Sequence, residues 1–562
     1  MKKDQETKKD LSRRDFVKTT AVIGATAMAG IGAKGVAAAT VPRRWDKAAD
    51  VVVVGAGATG IPAAIEATES GASVIVIEQN YDIGGHAIQS GAYLPLGGGT
   101  SLQKKYGIED SPDLYFSDLI KNPDFRYNDR DLVRTFCDWS ARTFEWLIAH
   151  GVVFPDLAPV AGAAQVGGNA QSVKRSQNPV WSGGVSAVSP LGANGAALMR
   201  PLEANARKLG VEFLLQHSMT SLIREPNSQG RVLGIAATHQ GKTVNIQARK
   251  GVILGTGGHS SNVNFRRMFD PRLTEEYQVV GEPYSRQTGD GETAAMRIGA
   301  SLWGAGNQTL ERGIAMEKPG VIGTRFGYPS PGGGRGIEGL PASPIFKLMG
   351  AIGLTVKDYQ NLIHVNQVGM RFVNEEVRGY AWHNACMAWN GGTGNGGGPI
   401  WAIFDAEGAK RENWSCAPPY VDADGWFFSG QTLAELAGRI VSKYQKPPMP
   451  AAALETTVAR YNSFVEAAKD ADFDKPAPKY KIQTPPFYAA WSTPCVHDCL
   501  SGLRINTKSQ VIDMEGKVIP GLYCGGESAG GFSMHGLARC IIQGRIAGRD
   551  AARPGPPSHG KA

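Results

Sequence analysis

The chain has 562 residues and a formal net charge of +8, and its length allows two to four domains with a large buried core. Residues 1–39 carry eight Lys or Arg and four acidic residues, so the rest of the chain has a net charge of +4. That part has no basic run that would indicate nucleic-acid binding, and no stretch long and apolar enough to span a membrane.

The first 39 residues show the features of an export signal in their usual order. Residues 2–11 are polar and charged, residues 12–18 (SRRDFVK) form a twin-arginine pattern, residues 21–33 are mildly apolar, and residues 37–39 are all Ala. The alternative is a disordered basic tail. We predict a twin-arginine signal peptide over residues 1–39, a route that carries folded proteins, and a mature protein in a bacterial periplasm.

A strand, a glycine-rich turn, a helix, a second strand and an acidic residue follow one another next. They are residues 51–54, Gly55-x-Gly57-x-x-Gly60, residues 61–69, residues 73–77 and Glu78. This spacing is typical of a dinucleotide-binding βαβ unit. The alternative is a purely structural turn at a Rossmann-like crossover.

Each residue of that unit has a physical role in the prediction. Gly55 permits the tight turn, and Gly57 lets the backbone approach a pyrophosphate. Gly60 lets the helix pack closely on the strand, so that the helix N-terminus faces the phosphates. Glu78 would accept hydrogen bonds from an adenosine ribose.

The rest of the chain contains predicted helices, predicted strands and one region rich in Gly and Pro. Residues 101–150, 196–209 and 431–470 are predicted to be helical, and so are the segments that start at Thr288 and at Leu537. Strands are predicted at 210–215, 231–238, 242–248, 250–254 and from Ile505 onward. Residues 305–400 are rich in Gly and Pro and poor in periodic structure.

Composition therefore divides the chain into a nucleotide-binding domain interrupted by a middle domain. We predict a nucleotide-binding domain over 48–304 and 486–553, a middle domain over 305–485 and a disordered tail over 554–562.

The seven cysteines are odd in number and have no regular spacing, so they predict neither a disulfide framework nor a metal or haem site.

Further motifs follow the βαβ unit in a fixed order. They are Gly84-Gly85, residues 255–258 (GTGG), residues 288–291 (TGDG), residues 366–375 (NQVGMRFVNE), His497, residues 519–523 (IPGLY) and Gly526-Glu527. With the βαβ unit, they resemble the FAD-dependent oxidoreductases of the fumarate reductase/succinate dehydrogenase flavoprotein family. The resemblance covers residues 48–552. It implies an α/β fold, with a Rossmann-like FAD-binding domain and an inserted α+β substrate-capping domain.

The resemblance also implies the groups that contact FAD. Beyond the βαβ unit, these are Gly85, Gly257, Asp290 near the pyrophosphate, Glu527 near the ribityl chain, and the helix start at Ala538 to Ile541 near the flavin ring. His86 aligns with the position that carries covalent FAD in membrane-bound relatives. Covalent attachment is not favoured, because residues 86–91 (HAIQSG) depart from the usual pattern; the alternative is a hydrogen-bonded histidine beside the ring.

For the substrate, the family uses a histidine and an arginine that bind a carboxylate. Residues 497–503 (HDCLSGL) keep His497, and residues 535–539 (HGLAR) keep Arg539. A guanidinium is well suited to a carboxylate, although Arg539 could instead form a salt bridge at the helix start. The resemblance offers Arg378 or Tyr380 as the proton donor, and leaves the choice open.

We therefore expect an FAD enzyme that transfers hydride between flavin N5 and a C=C/CH–CH bond beside a carboxylate or carbonyl. Reduction of a small unsaturated acid is the favoured reaction. A desaturating dehydrogenase of ketosteroid or alicyclic-acid type, and a flavin-bearing electron carrier, are the alternatives. The chain has no Cys-x-x-Cys-His haem motif, so electrons are expected to come from, or go to, a separate protein or a quinone.

Overall fold

The computed structural model describes most of the chain between residues 41 and 553. The described residues are 41–121, 125, 127–161, 173–180, 193–225, 230–279, 282, 284–304, 309–311, 324–326, 351–354, 356–377, 380–387, 397–418 and 421–553. The predicted signal peptide, the predicted tail at 554–562 and Arg378 lie outside them. In the described part, no helix is both long and apolar enough to cross a bilayer.

The described strands are numbered in chain order. They are β1 Lys47–Val54, β2 Val74–Ile77, β3 Leu94–Pro95, β4 Ser176–Gln177, β5 Glu212–Leu214, β6 Ser218–Arg224, β7 Val232–His239, β8 Lys242–Leu254, β9 Leu302–Trp303, β10 Thr309–Glu311, β11 Thr324–Phe326, β12 Ala351–Leu354, β13 Ile363–Asn366, β14 Ile400–Asp405, β15 Phe427–Gly430, β16 Phe487–Trp491, β17 Cys495–Asp498, β18 Gly502–Leu503, β19 Gln510–Ile512 and β20 Val518–Cys524.

The helices are numbered in the same way. They are α1 Gly60–Glu69, α2 Gly85–Gln89, α3 Ser101–Lys105, α4 Pro112–Lys121, α5 Arg130–Ala149, α6 Ala193–Lys208, α7 Val263–Arg266, α8 Asp290–Met296, α9 Tyr380–Met387, α10 Ala406–Glu412, α11 Leu433–Arg439, α12 Ala451–Glu466 and α13 Leu537–Ala552, with 3₁₀ turns at Tyr359–Asn361 and Gly526–Ser528.

The main sheet has the strand order β19-β20-β8-β1-β2-β5, and β7 and β6 extend it from β8. Strand β1 lies parallel to β2 and to β8, with Val52 opposite Ile75 on one side and Val252 on the other. Residues 51–53 are fully buried in the middle of this sheet, and α1 and α13 both contact β1. The predicted strands at 242–248 and 250–254 are one continuous strand, β8, whose first half also pairs with β7.

Helices α1 and α13 pack against each other with almost no side chain between them. A Cβ atom at Gly544 would lie 2.2 Å from the carbonyl oxygen of Thr59, and one at Gly548 would lie 2.1 Å from that of Ala63. The C-terminal helix is thereby held directly on the helix that follows the glycine-rich turn. This contact joins the two ends of the chain into one domain.

The inserted region forms a smaller antiparallel sheet, ordered β13-β14-β16-β15, with α11 and α12 packed on it. Its core is aromatic, and the rings of Trp401 and Trp491 meet edge to face with centroids 5.4 Å apart. Strand β16 belongs to this sheet, so the boundary predicted at residue 486 precedes a strand of the cap. The α/β fold with an inserted α+β region is confirmed.

A network of buried charges stabilises the cap. The Glu375 carboxylate contacts the Arg371 guanidinium at 2.7 Å and the Lys475 ammonium at 3.1 Å. Arg371 also contacts Asp470 at 2.8 Å. Burial raises the pKa of Glu375, but the two cations outweigh it and lower that pKa to about 2. The network anchors the loop that leads to Arg378 and α9.

Candidate active site

In the turn between β1 and α1, Gly55 and Gly60 pack against neighbouring backbone, whereas Gly57 faces open space. Gly55 has φ = +97°, and a Cβ atom there would lie 2.3 Å from the carbonyl oxygen of Gly255. A Cβ atom at Gly60 would lie 1.8 Å from the oxygen of Gly55. At Gly57, a Cβ atom would meet only the Gly84 oxygen, at 3.9 Å, among the described residues. The open side at Gly57 is where a phosphate group has room to approach.

Glu78 is buried at the end of β2 and is held by backbone donors. Its Oε2 accepts a hydrogen bond from the N–H of Ala56 at 2.8 Å, and its Oε1 accepts one from the N–H of Asn80 at 3.0 Å. Burial raises the pKa of Glu78, and these N–H groups act against the rise. A carboxylate has further lone pairs, so the side chain can also accept hydrogen bonds from ribose hydroxyls.

Both features line one cavity that is open to solvent. Eight of the residues predicted to contact FAD line it. They are Gly55, Gly57, Glu78, Gly85, His86, Gly257, Asp290 and Glu527.

Three predicted residues do not line this cavity. Gly60 is packed beneath the turn, and Ala538 and Ile541 are buried inside the protein. Helix α13 faces the cavity through Leu537 and Cys540 instead. The prediction for Ala538 to Ile541 concerns the backbone N–H groups at the start of α13, and it stays a prediction.

Three polar side chains, His86, Gln287 and Glu527, lie together at one end of the cavity. Gln287 Nε2 lies 3.0 Å from His86 Nδ1 and also donates to Glu527. His86 Nδ1 and Glu527 Oε2 are 3.8 Å apart. Burial, followed by the charge of Asp498, raises the pKa of Glu527 to about 8. The sequence pattern did not identify Gln287, which directly precedes the TGDG motif.

Asp498 joins this end of the cavity to two histidines. Its Oδ1 lies 2.9 Å from His497 Nδ1, and its Oδ2 accepts a hydrogen bond from His535 Nδ1. The two ring centroids are 4.9 Å apart. Burial raises the pKa of Asp498, but the charges of His535 and His497 outweigh it and hold that pKa well below its usual range. Asp498 also contacts Glu527, which lines the cavity.

The sequence predicted His497 as a site residue but did not select Asp498 or His535. Asp498 stands in the HDCLSGL motif and His535 in the HGLAR motif. A search for the group that accepts the hydrogen bond of each imidazole N–H would have drawn attention to them. The sequence also predicted no metal site. Among the described residues, these three side chains form a group whose ligand atoms lie within 4.8 Å of one another, which is compatible with a metal ion as well as with hydrogen bonding.

Arg539 lies in the first turn of α13, and its side chain is buried. Its Nη1 donates to the carbonyl oxygen of Phe532 at 2.6 Å, and its Nη2 donates to that of Cys499 at 3.0 Å. Its Nε has no hydrogen-bond partner among the described residues. Two of its nitrogens therefore tie the start of α13 to the loop after β17, and its role toward a substrate stays a prediction.

Of the two predicted proton donors, Arg378 is outside the described residues. The backbone of Tyr380 begins α9, and its side chain lies outside what the structure describes. Both follow the loop that the Glu375 network anchors.

Comparison with known proteins identifies the family. The family model described as "FAD binding domain" matches residues 50–326 and 334–540. The chain belongs to this family. It is 30% identical over 519 residues to "Fumarate reductase (cytochrome)" of Shewanella frigidimarina, covering 90% of this chain and 77% of that protein. It is 29% identical over 514 residues to "Urocanate reductase" of Eggerthella lenta, covering 90% and 74%.

A solved structure shows the same fold. The flavoprotein superposes with a TM-score of 0.61 and 25% identity on 3-ketosteroid-Δ4-(5α)-dehydrogenase from Rhodococcus jostii in complex with 4-androstene-3,17-dione, covering 92% of this chain and 99% of that one. The protein is an FAD-dependent oxidoreductase acting on CH–CH groups. The cavity fits FAD, since it is open at Gly57 and presents the Glu78 carboxylate.

Proposed function

We propose that this flavoprotein reduces the C=C bond of a small unsaturated acid. The observation that carries the proposal is the pair of imidazoles, His497 and His535, which share one buried carboxylate beside the FAD cavity. Protonated imidazoles donate charge-assisted hydrogen bonds to a carboxylate. The names of the two relatives, a fumarate reductase and a urocanate reductase, support an unsaturated acid as the substrate class.

The roles of the side chains follow from this proposal. His497 would bind and polarise the substrate carboxylate, with Arg539 contributing through the N–H groups that do not donate to Phe532 and Cys499, Nε among them. Arg378 or Tyr380 would give a proton to the α-carbon. FAD, when bound and reduced by the electron-transfer partner, would supply the hydride for the β-carbon. His86, Gln287 and Glu527 would hold the cofactor at the end of the cavity nearest the histidines.

A second candidate is desaturation of a ketosteroid or an alicyclic acid. The likeness to the steroid dehydrogenase favours it. In this reaction a carbonyl, rather than a carboxylate, would receive the hydrogen bonds, and Tyr380 would be the acid or base. The imidazole pair favours the first candidate, because a carboxylate gains more than a neutral carbonyl from cationic donors.

The electron donor and the location complete the proposal. The chain has no haem attachment motif of its own, whereas the name of the Shewanella relative includes a cytochrome. We propose a separate electron-transfer protein or a quinone as the partner. The twin-arginine pattern in residues 12–18 supports export to the periplasm, after FAD has been bound in the cytoplasm.

The test is anaerobic reoxidation of the flavin. The holoenzyme is reduced with dithionite, freed of excess reductant, and mixed with fumarate, urocanate, a cinnamate or an unsaturated ketone. Rapid reoxidation by one of the acids is the expected result. Reoxidation by none of them, together with reduction of the oxidised flavin by a 3-oxosteroid or a saturated alicyclic acid, would replace this proposal with the dehydrogenase.

A further inference from the structure

The wall of the FAD cavity carries several carboxyl groups and little positive charge. Its carboxyl groups belong to Glu78, Asp290 and Glu527, and among the described residues Arg286 is the only Lys or Arg on that wall. The diphosphate of FAD is an anion, and anions in protein sites are paired with cations and hydrogen-bond donors. The backbone N–H groups of residues 55–60 can supply donors, and Arg286 can supply a full positive charge.

A series of short distances places the backbone of Arg286 beside the turn that has room for a phosphate. A Cβ atom at Gly57 would lie 3.9 Å from the carbonyl oxygen of Gly84. A Cβ atom at Gly85 would lie 3.6 Å from the hydroxyl of Ser285, the residue before Arg286. Arg286 and Gly57 also line the same cavity. The arginine therefore stands at the rim of the cavity, next to the glycine-rich turn.

Hydrogen bonds hold the segment that carries Arg286 against the chain that follows β2. Asn80 Nδ2 donates to the carbonyl oxygen of Tyr284 at 3.0 Å, and the hydroxyl of Tyr284 donates to the carbonyl oxygen of Ile83 at 2.9 Å. The backbone is thereby fixed two residues before Arg286. Because the backbone is already ordered, mainly side-chain freedom would be lost when the guanidinium binds an anion.

The guanidinium of Arg286 has donors available for a ligand. Its side chain is 65% exposed, and its one contact among the described residues is an ion pair with Glu282, with Nε 3.7 Å from Oε1. An exposed pair of this kind contributes little to stability. A guanidinium has five N–H donors in a planar fork that matches phosphate oxygens.

We propose that Arg286 binds the diphosphate of FAD and exchanges its weak pair with Glu282 for phosphate oxygens. The guanidinium then offsets the charges of Glu78 and Asp290, which line the same cavity. Bidentate contact with phosphate is stronger than a single long ion pair. The inference depends on FAD as the cofactor, and it holds whether the substrate is an unsaturated acid or a steroid.

Arg286→Gln tests the proposal, because it removes the charge and keeps a polar side chain. FAD should bind about 10-fold more weakly, measured by titration of the full-length apoprotein. ADP, which carries the diphosphate but no flavin, should lose affinity by a similar factor when it competes with FAD. Arg286→Lys should retain part of the affinity, since it keeps the charge and loses the bidentate geometry. A loss for FAD but not for ADP would overturn the proposal, because Arg286 would then act on another part of the cofactor.

The loss of affinity should also depend on salt. The Debye length falls from about 30 Å at about 0.01 M salt to about 3 Å at about 1 M. The ratio of the Kd of Arg286→Gln to that of the wild type should therefore become smaller as the salt concentration rises. An equal ratio at both salt concentrations would contradict the proposal, because the effect would not be one of charge.

Arg439→Gln is the matched control. Arg439 is 55% exposed and also pairs with a glutamate four residues earlier, Glu435, but it lies in α11 of the cap and is absent from the cavity wall. The Kd for FAD should stay unchanged in this variant. An equal loss in Arg439→Gln and Arg286→Gln would overturn the proposal, because it would reflect the loss of any exposed arginine.

Glu282→Gln separates the ion pair from the contact with phosphate. FAD should bind this variant at least as tightly as the wild type, because Arg286 loses a competing partner. A loss as large as that in Arg286→Gln would contradict the proposal, since the ion pair itself would then support the site.

A crystal structure of the holoenzyme tests the contact directly. It should show guanidinium nitrogens of Arg286 about 2.7–2.9 Å from phosphate oxygens. An Arg286 that remains beside Glu282, with the phosphates bound by backbone N–H groups alone, would overturn the proposal. Flavin reoxidation by an unsaturated acid does not depend on this result, so the proposed function and the role of Arg286 can fail separately.

Discussion

The cofactor cavity and the histidine cluster beside it are built in different ways. The cavity wall at Gly55 and Gly57 is backbone, and its shape depends on the absence of side chains. The cluster consists of three side chains, and its properties depend on which nitrogen carries a proton. Substitutions in the first region should therefore act on folding and FAD binding, whereas substitutions in the second should act on substrate binding.

The largest expected effect is that of Gly55→Ala. A Cβ atom at this position would lie 2.3 Å from a backbone oxygen, and φ is +97°. The left-handed conformation alone costs about 1–2 kcal/mol for a residue with a side chain, and the clash with the backbone adds to this cost. We expect a protein that is largely free of FAD or fails to fold, measured by the flavin-to-protein absorbance ratio and by Tm.

Gly71→Ala is the control for backbone strain. Its φ is +85°, and no heavy atom of the described residues lies within 4 Å of the place that the alanine Cβ would occupy. It should lose only the conformational cost of about 1–2 kcal/mol and keep its FAD. Equal losses in the two variants would mean that φ, and not the contact with Gly255, governs the turn.

The buried cap network should give the next largest effect. Glu375→Gln leaves Lys475 and Arg371 with an uncompensated buried charge, which costs about 3–5 kcal/mol in typical cases. Urea unfolding measures this loss. Glu466→Gln, which breaks an exposed pair with Lys481, should cost less than about 1 kcal/mol. A small effect at Glu375 would show that the cap does not depend on this network.

The contribution of Glu375 to the free energy of unfolding changes with pH in a definite direction. Its pKa in the folded protein is about 2, below its usual value. Its contribution to stability is therefore present above the usual pKa of a glutamate, about 4.3, and is lost as the pH falls toward 2. The Glu375→Gln variant should lose less stability than the wild type between pH 5 and pH 2, within the range of about pH 5 to pH 1 over which such carboxylates titrate.

A smaller effect is expected from Glu78→Gln. The amide keeps one acceptor oxygen for Ala56 or Asn80 and loses the other, so FAD should bind about 10-fold more weakly and Tm should fall, because one of these N–H groups loses its acceptor. Titration of the apoprotein with FAD measures the Kd. Glu69→Gln, at an exposed carboxylate that pairs with His150, is the control. An unchanged Kd at Glu78 would remove it from the ribose site.

The smallest effect concerns His86, for which the sequence does not favour covalent attachment of FAD. Acid precipitation of the wild-type holoenzyme should release the flavin into the supernatant. His86→Ala should retain FAD, with a modest loss of affinity, because Gln287 and Glu527 still line this end of the cavity. Flavin that stays with the wild-type polypeptide, but not with the variant, would establish the covalent bond.

Local patterns predicted the fold well wherever contacts are close in sequence. The βαβ unit at residues 51–77 is present, and α13 begins at Leu537 as predicted. The placement of β16 in the cap sheet and the continuity of β8 were not predicted. Both depend on pairing with strands far away in the chain, and apolar runs alone do not reveal the partner of a strand.

In the site, too, contacts between residues close in sequence were predictable, and contacts between distant residues were not. The sequence by itself determined the dinucleotide-binding unit, because a tight turn, a helix N-terminus and an acidic strand end occupy only residues 51–78. Only the tertiary structure places His535 within hydrogen-bond distance of Asp498, beside His497. It also shows that the Arg539 guanidinium donates to backbone carbonyl oxygens. Residue spacing does not encode these contacts, because β17 and the start of α13 meet only after the sheet and helices have packed.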